Sequence, residues 1–195
     1  MKYPDMTWSR MQAVIDKLGG MESVQRFLSG ELIVKMAEQS FVIWNTVTLG
    51  TYKSSSEYRK ALGAGGYRVG DYADQIFNKV KVSETVTQLD LVVKTVAELG
   101  FKNGVARKQI YDRAIKLGLE LCPAEVGLAL RLQYPGQPYG GWLHIAMEPI
   151  ADSVDGLRVF EVVHGYGGRW LGSGYGCPDV FWGVGDRWVF VAPRK

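Results

Sequence analysis

The sequence predicts an α+β protein, with a mainly helical part over residues 1–136 packed on a small antiparallel β-sheet over residues 140–195, or the two as one continuous domain. Three observations carry this expectation. Apolar residues recur at three- and four-residue spacings through the first two thirds of the chain. After "PGQPYGG" the pattern changes to short β-branched and aromatic runs separated by Gly, Pro and Asp. The length, 195 residues, suits one domain or a small helical part fused to a small sheet part, and no internal repeat or low-complexity linker interrupts it.

The elements follow in order. "TWSRMQAVIDKLGG" predicts a helix from Thr7, with Trp8, Met11, Val14, Ile15 and Leu18 on one face and Gly19-Gly20 as its stop. "MESVQRFLSGE" repeats the pattern in miniature, with Val24, Phe27 and Leu28 inward and Ser29-Gly30 as the terminator. "SFVIWNTVTLGTY" is β-branched and aromatic and predicts a strand. "SSSEYRKALGAGG" opens on serines and Glu57 in the manner of a capping box and ends in glycines. "YRVGDYADQIFNKV" gives a short strand and a helix capped by Asp71. In "ETVTQLDLVVKTVAELG" the spacing of Val86, Leu89, Val93, Val96 and Leu99 predicts a helix, as does that of Ile110, Ala114 and Leu117 in "GVARKQIYDRAIKLG". "CPAEVGLALRLQY" adds a short helix with Pro123 in its first turn. "WLHIAMEPI", "LRVFEVVHG", "GRWLG" and "DRWVFVAPRK" are the β-type runs.

Bulk properties narrow the function. Hydrophobic residues make up 47% and charged residues 22%, as in an ordinary soluble domain, and a net charge of +3 is too small to imply nucleic acid or an anionic membrane. The charged N-terminus has no signal-peptide core and no apolar run reaches membrane-span length, so a cytoplasmic protein with two free thiols, Cys122 and Cys177, is expected.

Catalytic motifs are sparse, and neither a cofactor nor a metal is expected. "GSGYGC" is not a dinucleotide fingerprint, and Pro178 follows where a phosphate-binding helix would begin; "GAGG" lacks the Lys-Ser/Thr of a phosphate loop. Asp152 and Asp155 in "ADSVDG" read as turn residues. His144 sits in an apolar run and reads as a structural strand histidine, whereas His164, in a glycine-rich turn, is the exposed candidate to activate Cys177 in an enzyme. A DNA-binding alternative uses residues 104–131 as a helix-turn-helix outline. Arg107, Lys108, Arg113 and Lys116 would contact phosphates, and the second helix has only Glu125 and Arg131 to offer to base edges.

The leading expectation is a non-enzymatic binder of a protein or small-molecule ligand. "GYGGRWLGSGYGCPDVFWGVGDRW", Gly165 to Trp188, mixes Tyr and Trp with Gly, Ser and Asp, the composition of adaptable binding loops. Tyr166, Ser173, Tyr175, Asp179, Phe181, Val184 and Asp186 are the expected contacts, with Trp170, Trp182 and Trp188 as scaffold. From His164 to Asp186 every residue but Trp170 and Trp182 is reachable from an AAC or AAT codon by changing only adenines. Lys, Glu, Gln and Met, unreachable in that way, are absent.

"LGGMESVQRFLSGEL", "GYRVGDYA", "LGLELCPAEVGLALRLQYPGQPYGGWLHIAMEPIADSVDG" and the C-terminal "DRWVFVAPRK" resemble an uncharacterised family of bacterial proteins from small-genome candidate phyla. The C-terminal stretch also resembles the variable region of a protein targeted by a diversity-generating retroelement. That resemblance implies error-prone copying at adenines, a ligand-binding C-terminus and a C-type-lectin-like framework, to which a strand such as 41–48 would have to contribute.

Overall fold

Thr7 opens the first helix as its sequence predicts: its hydroxyl accepts from the Arg10 N–H at 3.3 Å, and Gly19, at φ 91°, closes it in the left-handed conformation. The computed structural model describes residues 5–33 and 40–193. The chain forms two units, Met1–Gln39 and Ser40–Lys195. The first contains α1 (Trp8–Leu18) and α2 (Met21–Leu28). The apolar face expected to point inward is not buried: neither helix has a buried residue, because so short a unit has too little chain to enclose a core.

The second unit alternates helices and strands from its start, so the region before residue 136 mixes four strands with its helices. It runs β1 (Asn45–Leu49), α3 (Ser55–Ala64), β2 (Arg68–Val69), α4 (Asp71–Phe77), β3 (Thr87–Thr95), β4 (Val105–Ala106), α5 (Arg107–Lys116) and α6 (Glu125–Gln133). After these come β5 (Trp142–Ile145), β6 (Ile150–Ala151), β7 (Leu157–Gly165), β8 (Gly168–Tyr175), β9 (Phe181–Trp182) and β10 (Arg187–Val191). One curled sheet takes strands from both sides of residues 136–140, in the order β1-β3-β10-β5-β7-β8-β2 with β6 on β7, while β4 and β9 form a separate ribbon. Pairing is mainly antiparallel; β10 with β5 and β2 with β8 are parallel.

Two sequence expectations are corrected. The stretch 84–100 is not a helix but carries β3, paired to β1 and β10. Within it Leu89 and Leu91 are buried and Asp90 between them is exposed, a period of two that the sheet enforces over the helical spacing of the valines and leucines. Asp71 does not cap α4; it is the first helical residue, Gly70 is the N-cap, and Asp71 sits in the first turn where a negative charge favours the helix dipole. The capping box of α3 is as read: the Glu57 N–H donates to Ser54 Oγ and the Lys53 N–H to Glu57 Oε2.

The core lies between the sheet and the helices α3, α4 and α6. Helix α6 is apolar almost all round and is buried from Glu125 to Arg131. Gly127 brings it onto β7, where a Cβ would fall 2.7 Å from the Cβ of Phe160. Its two charged residues are internal ties. Glu125 accepts from the Gly50 N–H, the Tyr58 hydroxyl, and the N–H and hydroxyl of Ser83, and Arg131 donates to the carbonyls of Tyr134 and Val163 and to Gln137. Alternation along β7 puts Phe160 toward α6 and Glu161 on the opposite face. On that opposite face α5 packs through Tyr111, edge-on to Trp188 and Phe190.

Candidate functional site: an aromatic cleft over a histidine–glutamate pair

Strand register builds the site. Lys94, Trp188, His144, Glu161 and Gly172 are successive cross-strand partners on β3, β10, β5, β7 and β8, so they form one row across the face opposite α6. His144 Nδ1 lies 3.0 Å from Glu161 Oε1, with both side chains buried. An ionised carboxylate only accepts, so in this pairing the Nδ1–H of His144 donates to Glu161. The imidazole is held by the indoles of Trp182 and Trp188, with ring centroids at 4.4 and 5.1 Å. Trp182 reaches it from the β4–β9 ribbon, where Phe181 alternates outward.

Beside this pair the floor is glycine. A Cβ on Gly174 would meet Glu161 Oε1 at 2.3 Å and Trp182 Cη2 at 3.0 Å, so the carboxylate occupies the space a side chain would need. Above the floor opens a cavity of about 670 Å³ walled by Tyr72, Trp142, Tyr175, Trp182, Arg158, Asp186 and Arg187. A second, of about 390 Å³, continues along β8 past Trp142, Glu161, Gly172, Tyr166 and Trp170. Arg158 is positioned from behind: its Nε donates to Asp152 Oδ2 at 2.9 Å, and its guanidinium lies over the rings of Tyr72 and Tyr175 at 3.8 and 4.7 Å. The Arg158 hydrogen bond, followed by that of the Val154 N–H, holds the Asp152 carboxyl below the ordinary carboxylate range. Asp152 is thus a tie for its turn and for Arg158. Among the described residues no group of three or more His, Cys, Asp or Glu is placed to hold a metal.

Four of the seven expected contacts line these cavities: Tyr166, Ser173, Tyr175 and Asp186. Tyr166, at the tip of the β7–β8 hairpin, is 96% exposed, whereas the Ser173 hydroxyl is buried with no hydrogen-bond partner among the described residues. Asp186 accepts from the Gly183 N–H at 2.6 Å, which shapes its turn. Asp179, Phe181 and Val184 are exposed but line neither cavity. Of the expected scaffold residues Trp188 is fully buried, while Trp170 and Trp182 are cleft walls. Sequence reasoning passed over Trp142, Arg158, Glu161 and Tyr72 and took His144 for a structural residue. The available signal was a lone acid, Glu161, inside the apolar run "RVFEVV".

The other chemistry read from the sequence is dispersed. His164 Nδ1 lies 2.6 Å from the Gln137 carbonyl and its ring packs on Tyr139, whereas the Cys177 carbonyl accepts from Arg107 on α5. Arg107 is itself buried and stacked over Tyr111. With α6 also buried, the helix-turn-helix outline lacks an exposed second helix to enter a groove. Burial pushes the Cys122 thiol up, well above its ordinary value, while Cys177 is partly exposed. A disulfide reagent is therefore expected to titrate one thiol per native chain and the second only in denaturant. Two fast native thiols would show that the α5 side of the core opens readily.

No family model, curated protein or solved structure matches the chain. The functional reading rests on this cleft. Among the described residues no helix is long and apolar enough to cross a membrane.

Proposed function

We propose that the protein is a non-enzymatic ligand-binding protein whose site is the aromatic cleft, and that its cleft-wall residues are diversified in the manner of a diversity-generating-retroelement target. One observation carries the reading. Tyr166, Ser173, Tyr175 and Asp186, all within the adenine-reachable window, converge on adjoining cavities whose walls also include Trp170 and Trp182, the two residues of that window that adenine changes cannot produce. In this proposal the curled sheet acts as a C-type-lectin-like framework, holding changeable side chains on a constant backbone. Concave aromatic walls with a few buried polar groups are the usual make-up of a ligand site.

Sequencing the 3′ end of the gene across its source population tests the proposal. Substitutions are expected at adenine-derived codons for Tyr166, Ser173, Tyr175, Asp179, Phe181, Val184 and Asp186. Trp170, Trp182 and Trp188 should stay constant, as should Gly174, whose added Cβ would strike Glu161. A uniform 3′ end overturns the diversification reading.

A further inference from the structure

We infer that the larger cavity takes a neutral hydroxylated ring, a mono- or disaccharide, with the His144–Glu161 pair as its polar anchor; this deepens the ligand-binding reading of the same cleft and rests on it. The charge lining the cavity points to a neutral ligand. Glu161 and Asp186 face a polyanion unfavourably, and Arg158 and Arg187 face a cation unfavourably. Arg158 is already paired with Asp152 behind it, which leaves Arg187 facing two carboxylates, Glu161 and Asp186, across the lining.

The unmet hydrogen-bonding capacity calls for donors. Glu161 is 5% exposed, its Oε1 is committed to His144, and among the described residues its Oε2 has no hydrogen-bond partner. A Cβ on Gly172 would lie 3.5 Å from that Oε2, so the absent side chain leaves room beside the unpaired oxygen. The Asp186 carboxylate adds further acceptor capacity, and His144 Nε2 is a second polar atom of the pair. Glu161 Oε2 opens onto the cavity, whereas the Ser173 hydroxyl and the Trp182 indole N–H are buried without a partner among the described residues, and ligand hydroxyls would satisfy all three. Hydroxyls both donate and accept, which also suits Arg158 and Arg187.

The walls call for a flat face. Trp142 is 52% exposed at the cavity rim, and an indole's negative face attracts the partly positive C–H face of a pyranose ring. The site is held in advance of any ligand, because His144 is clasped by two indoles and Glu161 by His144, so little ordering accompanies binding.

The test titrates the full chain with glucose, galactose, mannose, N-acetylglucosamine, maltose, lactose, cellobiose and chitobiose, followed by tryptophan fluorescence and calorimetry, with inorganic phosphate and choline alongside. At least one saccharide is expected to bind saturably at millimolar or lower concentration. Glu161→Gln should weaken it at least about tenfold with an intact melting transition. Should Glu161→Gln not fold, Trp142→Ala, a rim change, carries the same expectation. Absence of saccharide binding, preference for phosphate or choline, or unchanged saccharide affinity in the variants overturns the inference. A diversified 3′ end without saccharide binding would sink this inference while leaving the ligand-binding reading in place.

Discussion

Glu125→Ala is expected to lower the melting temperature by about 8–16 °C, corresponding to a loss of about 4 kcal/mol in a protein of this size. The carboxylate is fully buried and accepts four hydrogen bonds, from the Gly50 N–H at 2.8 Å, Tyr58 OH at 2.8 Å, Ser83 N–H at 2.8 Å and Ser83 Oγ at 2.6 Å. Truncation leaves donors facing apolar space, and each buried orphan costs about 1–3 kcal/mol. It also separates four pieces of chain: the end of β1, α3, the segment before β3, and α6. Tyr58→Phe is the calibrating control, since it removes one donor and leaves the carboxylate its other three bonds. Burial, and then the bond to Glu125, raises the Tyr58 pKa far above the ordinary phenol value, so the hydroxyl stays a donor at any pH the fold survives. A loss of about 1 kcal/mol there, against about 4 for Glu125→Ala, would identify the carboxylate as the hub. Equal losses would mean that only the Tyr58 bond matters.

Glu125 also illustrates what a sequence discloses. In a string of letters it was one of two charged residues on an apolar helix, and a DNA-contact reading was available. Its partners lie 42 to 75 residues away, and no local pattern marks them. Elements governed by local chemistry were legible: the Thr7 cap of α1, the Ser54–Glu57 box of α3, and the hairpin glycines between β7 and β8. Strand β3 was not, because Val86, Leu89, Val93, Val96 and Leu99 satisfy a helical period and only the flanking strands β1 and β10 select the period of two. The candidate site divides in the same way. Tyr166, Ser173, Tyr175 and Asp186 stood out by composition within one stretch. His144 and Glu161, 17 residues apart, meet only through the register of β5 and β7.

Trp188→Ala should be as damaging to the β side of the core as Glu125→Ala is to the helical side, with an expected loss of about 3–5 kcal/mol. The ring is fully buried and touches Tyr111 from α5, His144 from β5 and Trp182 from the ribbon, at centroid distances of 5.6, 5.1 and 5.0 Å. Removing it empties the place next to His144 in the row that carries Glu161, so the cleft should lose its geometry together with its stability. Tyr175→Ala and Phe181→Ala make the contrast. Their rings are 61% and 73% exposed, and surface substitutions of this kind stay within about 0.5 kcal/mol, widened here for Tyr175 by the packing of Arg158 on its ring. Thermal melts of the three variants therefore separate framework from display. A large Trp188 loss with near-native Tyr175 and Phe181 melts is the pattern of a constant core carrying changeable walls. Equal destabilisation by all three would make the C-terminal loop part of the core, and a diversified site could not be built on residues the fold cannot spare.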